Sequence, residues 1–373
     1  MLLSSQISRQ HHVTTLFLPS SLLSPRIIRH TAESIARTQL ASGAIPWFEN
    51  HLLDPWDHVE AAMGLSIAGL LTQAEKAYNF MAGIQEGDGG FWPAYADTIP
   101  LDTTRKETHH SAYLATGVWH HYLISGNAAF LSQMWPHVQA GLDFACRQQT
   151  KHGEIAWALD EQGRACPDAL ITGCSSLYKS LECGYLISQT LNDTRDDWLL
   201  ARQELGWAVE HKPYRFDRTW ESKARYSMDW FYPILCGIIS GPQAGLRLQE
   251  RWDTFVRPGL GCRCVSDQPW FTVAETCELV MALTGAGYRA RAAHLFAELH
   301  RAKHKDGSYW TGYQSELDLF WPRERPTWTT GAVLLATDAL AGISPASSLF
   351  TVHSLNNSQI PATGRCAANS PGC

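Results

Sequence analysis

No apolar run in the 373 residues reaches the ~18–20 that a membrane-spanning helix needs. Positive charge is also in short supply. Thirty Lys and Arg stand against thirty-six Asp and Glu, a formal net charge of −6. A mildly acidic chain lacks the electrostatic footprint for nucleic acid or an anionic membrane surface, which excludes both as partners. The first residues, Met1 to Arg26, mix Arg9, His11 and His12 with a short apolar patch around Phe17. The ordered charged, apolar and small-residue zones of a signal peptide are missing. Residues 1–27 are therefore expected to be an irregular leader, and the protein to be cytoplasmic. The ten cysteines are scattered, and Cys262-Arg-Cys264 is the only tight pair. Cys146, Cys174, Cys183, Cys236 and Cys277 fall inside apolar helical patterns, where buried free thiols are the usual outcome. No second Cys or His pair stands at zinc-finger spacing. There is no phosphate-binding Gly-rich loop and no dinucleotide fingerprint. Neither a metal nor a cofactor is expected.

What is present is a repeat. Apolar residues at i, i+3, i+4 and i+7 recur in twelve segments, beginning near residues 28, 55, 73, 108, 129, 174, 195, 228, 243, 272, 287 and 328. Connections leaving the even segments are short, such as Ser125-Gly126-Asn127 and Gly241-Pro242. Those leaving the odd segments are long and carry Gly or Asp followed by an aromatic. They include Gly43-Ala-Ile-Pro-Trp47, Gly89-Gly-Phe91-Trp92, Gly153-Glu-Ile-Ala-Trp157, Ser266-Asp-Gln-Pro-Trp270 and Asp306-Gly-Ser-Tyr309-Trp310. A short loop makes antiparallel neighbours, and a long one has room to carry a site. The even segments are apolar nearly all round, the mark of buried helices, and the odd ones carry the charges. The pattern predicts an all-α fold: an (α/α)6 toroid of six helical hairpins in two concentric rings over residues 28–343. Residues 344–373, rich in Ser, Asn, Pro and Gly, are expected to form a disordered tail.

This alternation resembles the toroid of the six-hairpin glycosidases. Glu107-Thr-His-His-Ser-Ala-Tyr113, followed by Phe130-Leu-Ser-Gln-Met-Trp-Pro136, is similar to the inner–outer helix pair of glucoamylase-like enzymes. Gln85-Glu-Gly-Asp-Gly-Gly-Phe-Trp92 resembles the repeat of squalene cyclases and protein prenyltransferases, which are also α/α toroids. More narrowly, Ser42-Gly-Ala-Ile-Pro-Trp47 and Asp54-Pro-Trp-Asp-His-Val-Glu60 look like a bacterial group often labelled "prenyltransferase" and associated with hydrolases of methylated mannose polysaccharides. That resemblance implies a glycoside hydrolase acting on an α-linked oligo- or polysaccharide of mannose or methylmannose type. By analogy with similar toroids it would invert.

In such a toroid the long loops open where the inner helices begin, so carboxylates distant in sequence can converge there. Asp57, Glu60, Glu107, Asp229, Glu275 and Glu278 stand at those starts, with Glu324 just before the last helix. Glycoside hydrolysis needs one carboxyl group protonated and one ionised, roughly 6.5–9.5 Å apart in inverting enzymes. Inner helices on opposite sides of a toroid could hold that spacing. The expected catalytic pair is Asp57 and Glu275, with Glu275 as acid because its neighbours Phe271, Val273 and Ala274 are apolar, and Asp57 as base. Trp47, Trp56, Trp92, Trp270, Trp310 and Trp321 offer flat faces for sugar rings. Glu107, His109, Lys179 and the cluster Tyr226, Asp229 and Trp230 are the expected polar and aromatic substrate contacts. His110 and His121 lie too far apart on one helix to share an ion.

Structural roles explain several of these residues equally well. Asp54-Pro55-Trp56-Asp57 fits an N-cap, a first-turn proline and an N3 acid. Thr272-Val-Ala-Glu275 and Thr104-Arg-Lys-Glu107 fit capping boxes. Lys179 and Glu182 fit an internal ion pair. Two other functions share the fold. One is terpenoid handling of the squalene-cyclase type, for which the chain lacks an Asp-x-Asp-Asp acid. The other is non-catalytic carbohydrate binding.

Overall fold

A computed structural model describes residues 22–353 and Leu355. Twelve α-helices run through the described residues. They are α1 (Pro25–Thr38), α2 (Pro55–Ile67), α3 (Leu71–Ile84), α4 (Thr108–Ser125), α5 (Ala128–Cys146) and α6 (Ile171–Thr190). Then come α7 (Asp196–His211), α8 (Ser227–Leu235), α9 (Gly241–Phe255), α10 (Val273–Gly285), α11 (Arg289–Glu298) and α12 (Thr327–Ala341). The even helices form a closed ring in which each packs on the next and α12 returns to α2. The odd helices pack outside: α3 against α2 and α4, α5 against α4 and α6, and α1 against α12 and α2. The toroid of six hairpins is the fold that the loop alternation predicts.

Why the inner ring is buried is plain from its composition. Every residue of α2 is buried except Asp57, and every residue of α10 from Val273 to Thr284 except Glu275. Close approach also needs small residues. A Cβ on Gly331 of α12 would lie 2.7 Å from the Glu60 carbonyl oxygen, and one on Gly64 of α2 would lie 3.1 Å from the Gly331 Cα. Both α2 and α10 flank α12. They are therefore two places apart in the ring, not on opposite sides as the sequence expectation had them.

The loop repeat has a mechanical cause. Gln39 Nε2 donates to the carbonyls of Gly43 (3.0 Å) and Gln73 (2.9 Å), Gln85 Nε2 to those of Gly89 (3.1 Å) and His137 (3.0 Å), and Gln149 Nε2 to those of Gly153 (2.9 Å) and Ala201 (2.8 Å). Each glutamine thus ties its loop, four residues on, to the next outer helix. Gly43 sits at φ 101°, and a Cβ there would meet the Lys76 carbonyl oxygen at 2.3 Å, so only glycine serves.

Two features depart from expectation. The long loops carry short strands, which the all-α expectation did not include. They pair as β1 (Ala94–Ala96) with β2 (Ile99–Asp102), and β3 (Arg105–Glu107) with β4 (Ala158–Asp160). A five-stranded antiparallel sheet joins β5 (Val256–Arg257), β6 (Gly261–Arg263), β7 (Trp270–Thr272), β8 (Gly312–Gln314) and β9 (Leu319–Phe320). Loop backbone covering a core must pair its polar groups, but strands of two to four residues leave no periodic trace in the sequence. The second departure is in the tail. Residues 344–353 fold as turns, with Ala346, Leu349 and Phe350 buried and Ser344 N donating to Asp338 Oδ1 at 2.7 Å. Three apolar anchors inside a polar stretch suffice to dock it. Residues 354 and 356–373, and leader residues 1–21, lie outside the described residues. Among those described, all eight cysteines are free thiols and no helix is long and apolar enough to cross a membrane.

Candidate active site

The start of α2 is built as the sequence suggests. Asp54 caps the helix, its Oδ1 accepting from Asp57 N at 3.0 Å, and Pro55 occupies the first position. Trp47 Nε1 donates to Asp54 Oδ2 at 2.8 Å, fixing the cap. Asp57 is left free of capping duty and keeps partial exposure. Burial, then the charges of Asp54, Glu60 and Glu278, push its carboxyl well above the usual carboxylate range. Glu60, one turn deeper, is pushed up to about 8 by burial, Asp54 and Glu275. Glu278 rises for the same reason, burial first and Glu60 next, although Tyr232 donates its hydroxyl proton to Glu278 Oε1. Four carboxyl groups from two helices thus share one region with too few cations to neutralise them. Like-charge crowding of this sort is characteristic of functional sites.

Glu275 is not in a capping box. Thr272 Oγ1 is buried without a partner, α10 has no side-chain cap, and Glu275 Oε2 is buried and unpartnered. The second expected box is also absent. Thr104 Oγ1 donates to Asp102 Oδ1 at 2.6 Å, while Glu107 ends β3 and stands as the N-cap residue of α4. Glu107 Oε1 accepts from Arg105 Nε at 2.9 Å, and its Oε2 lies 3.4 Å from His109 Nε2 and 3.6 Å from His110 Nε2. Burial would raise the Glu107 carboxyl, but His110, His109 and Arg105 outweigh it and hold it low. Burial keeps His109 neutral, lowering it to about 3. The ligating atoms of Glu107, His109 and His110 lie within 4.8 Å of one another. With Arg105 already on Glu107, the set reads better as hydroxyl-binding donors and acceptors than as a cation site.

Aromatic rings bind these groups together. Trp56 stacks on Tyr113 (centroids 4.5 Å, 18°), meets His109 edge-on at 5.3 Å and approaches Tyr232 at 6.1 Å. Asp229 stands at the start of α8, with Oδ1 accepting from Thr172 Oγ1 at 2.9 Å and Oδ2 buried without a partner. Burial and Asp217 raise it to about 6. Tyr226, half-buried, precedes it as the N-cap residue of α8.

The other expected contacts divide. Trp92, Trp270 and Trp310 are half-buried on the long loops, and Trp321 is exposed. Trp92 Nε1 donates to Glu86 Oε1 at 3.0 Å, and Trp310 stacks on Phe320 at 5.8 Å. Trp230 is corrected: it is 2% exposed, stacks on Phe255 and donates to the Arg247 carbonyl at 2.6 Å. It packs α8 on α9, because its place in the helix turns it outward to the second ring. Lys179 is 1% exposed and ion-paired to Glu182 at 2.7 Å, the structural alternative that its spacing allowed. Sequence reasoning noted Glu60 and Glu278 at the helix starts without singling them out, and it passed over Tyr113. Two acids three residues apart on each of α2 and α10 were the available signal.

A closed ring of helix pairs with crowded carboxylates and aromatics at its mouth is the architecture of a six-hairpin carbohydrate enzyme. Solved structures agree on the fold. A glycosidase in complex with glucose has a TM-score of 0.65 at 13% identity, covering 86% of this chain and 97% of that one. A D-mannose isomerase matches with TM-score 0.65 at 12% identity (86% and 98%), and a sugar epimerase from a ruminal bacterium with 0.63 at 11% (84% and 97%). No protein-family profile matches the chain. Over 329 residues, however, it is 44% identical to the MMP endo-(1,4)-3-O-methyl-alpha-D-mannosidase of Mycolicibacterium hassiacum, covering 88% of this chain and 90% of the relative. The chain belongs to that family and is a glycoside hydrolase. Neither the terpenoid nor the non-catalytic alternative fits that membership.

Proposed function

We propose that this protein cleaves internal α-(1→4) linkages in a 3-O-methylated mannose polysaccharide, with Asp57 and Glu275 as its catalytic carboxyl groups. The observation that carries this is their placement. Each is the residue that keeps exposure at the start of an otherwise buried inner helix, and the two helices share the carboxylate cluster. The roles expected from composition are exchanged in this proposal. Asp57, held protonated by burial and by Asp54, Glu60 and Glu278, donates its proton to the leaving glycosidic oxygen. Glu275 takes a proton from the water that attacks the anomeric carbon from the opposite face, and the product inverts. Glu60 and Glu278, buried beneath, raise Asp57 and offer protons to substrate hydroxyls. At the α4 side the ionised Glu107 accepts from substrate hydroxyls beside the neutral His109, with Asp229 and Tyr226 as polar contacts at the α8 side. Trp47, Trp92, Trp270, Trp310 and Trp321 provide rim faces for sugars further along the chain. The free thiols of the described cysteines accord with a cytoplasmic location.

The test uses α-(1→4)-mannan oligosaccharides, with and without 3-O-methyl groups, and α-glucans as controls. Asp57→Asn and Glu275→Gln should each lose about a hundred- to ten-thousand-fold in kcat while melting at the wild-type temperature or above. Proton NMR of the first product should show the β-anomer. Release from no α-mannan by folded wild type overturns the proposal.

A further inference from the structure

Directly beneath the carboxylates the toroid axis is not filled. A cavity remains between the inner helices, with room of about 10 Å³ for the centre of a water-sized group. By that measure it holds one such group and no more. Its two walls differ in chemistry. One carries Glu60, Glu278, Tyr232, Ser176 and Lys179, whose ammonium is ion-paired to Glu182, and Ser176 Oγ is buried without a hydrogen-bond partner. The other is formed by Leu235, Met281, Leu335 and Phe350. Phe350 comes from the docked segment beyond α12 and is 7% exposed.

A water molecule is poorly served on an apolar wall, since it needs two to four polar partners. A methyl ether entering alone, with its neighbouring hydroxyl held outside at the carboxylates, meets the apolar wall and leaves no second group to seat. An internal mannose unit linked through C1 and C4 and methylated at O3 presents that pair on adjacent carbons, a 2-hydroxyl next to a 3-methoxy group. Unmethylated mannose would leave the apolar wall facing either a hydroxyl or a void.

We propose that this axial cavity receives the 3-O-methyl group of the sugar bound at the carboxylates, with Phe350, Met281 and Leu335 as the residues that determine specificity. The inference rests on the function proposed above and adds where discrimination occurs. It assigns the chain beyond the last helix to the substrate site.

The experiment compares kcat/KM of the full chain on matched α-(1→4)-mannose oligosaccharides with and without 3-O-methyl groups. Wild type should prefer the methylated series by about ten- to two-hundred-fold, the discrimination one methyl-sized group gains in an apolar pocket. Leu335→Phe, which fills the cavity, should cut the methylated kcat/KM at least tenfold more than the unmethylated one. Phe350→Ala, at a site outside the helical ring, gives the same readout by enlarging the cavity, should Leu335→Phe fail to fold. Phe350→Leu should restore most of the preference. Equal wild-type kcat/KM on the two series overturns the inference, as does a proportionate loss on both by folded variants. Each of those results leaves an active mannosidase. Failure of the function itself looks different, with neither series cleaved.

Discussion

On α6 and α7, Lys179, Glu182 and Arg202 are each at most 2% exposed and joined in one ion-paired cluster. Glu182 Oε1 accepts from Lys179 Nζ at 2.7 Å and Oε2 from Arg202 Nη2 at 2.6 Å. The guanidinium also lies 3.8 Å over the Tyr178 ring. On α2 and α10, across the same cavity that Lys179 lines, Asp57, Glu60 and Glu278 crowd together with their acids pushed up, not down. Burial acts on both groups in the same direction. In Glu182 two cations overcome it and hold the carboxyl low, while at the mouth further carboxylates add to it. The buried charges on α6 and α7 are paired for integrity. The mouth's are left mutually repelling, and that is the condition in which a carboxyl can hold a proton at neutral pH.

The largest effect separating the two clusters should be on stability. Glu182→Gln strands two buried cations and should cost about 3–5 kcal/mol. Glu60→Gln removes one member of a repelling cluster and should cost nothing or raise the melting temperature. Urea unfolding of both variants at pH 7 measures this. Equal destabilisation by the two would break the contrast.

A second, smaller separation is in pH. Glu60 titrates near 8 in the folded chain, well above a carboxyl group in the unfolded chain. Between those values the folded state holds the extra proton, so stability falls as pH rises through the window. Glu182 is held low, so its contribution is present above the ordinary carboxylate range and lost as pH falls below it. Melting curves from pH 4 to 9 should therefore show the alkaline decline flattened in Glu60→Gln and the acid decline flattened in Glu182→Gln. Parallel curves for wild type and Glu60→Gln would remove the mouth from the account.

How much of this was legible in the sequence depends on the range of the interaction. Helix positions follow from apolar periodicity, a local signal, and the twelve segment starts mostly match the helices within a few residues. The Gly–aromatic loop repeat was visible but misleading. It resembles that of cyclases because any toroid of hairpins needs its loops clamped to the next outer helix, as Gln85 does through His137. Asp57 and Glu275 could be picked out because acids are rare on all-apolar helices. Their relation to each other could not, since ring position depends on closure of α12 onto α2. The proposed acid–base assignment depends on Asp54 and Glu278, one fixed by a cap and the other two places round the ring. Trp230 was misread because composition says nothing about which way a buried ring turns. The docking of Phe350 was hidden by the polar residues around it.

The smallest effect belongs to the rim, where the comparison reaches solvent. Trp321 is 49% exposed and meets Trp270 edge-on at 5.3 Å, while Trp270 Nε1 donates to the Trp321 carbonyl at 2.8 Å. That backbone bond survives truncation of the Trp321 side chain, so Trp321→Ala removes a ring without unfastening the loop. One stacking face is worth roughly 0.5–1 kcal/mol. KM for long oligosaccharides should rise about two- to fivefold, with kcat and melting temperature within error of wild type. The effect should fade as the substrate shortens, because a rim contact serves sugars distant from the scissile bond. A change confined to kcat, or one equally large on the shortest substrate, would move Trp321 from the rim to the reaction centre.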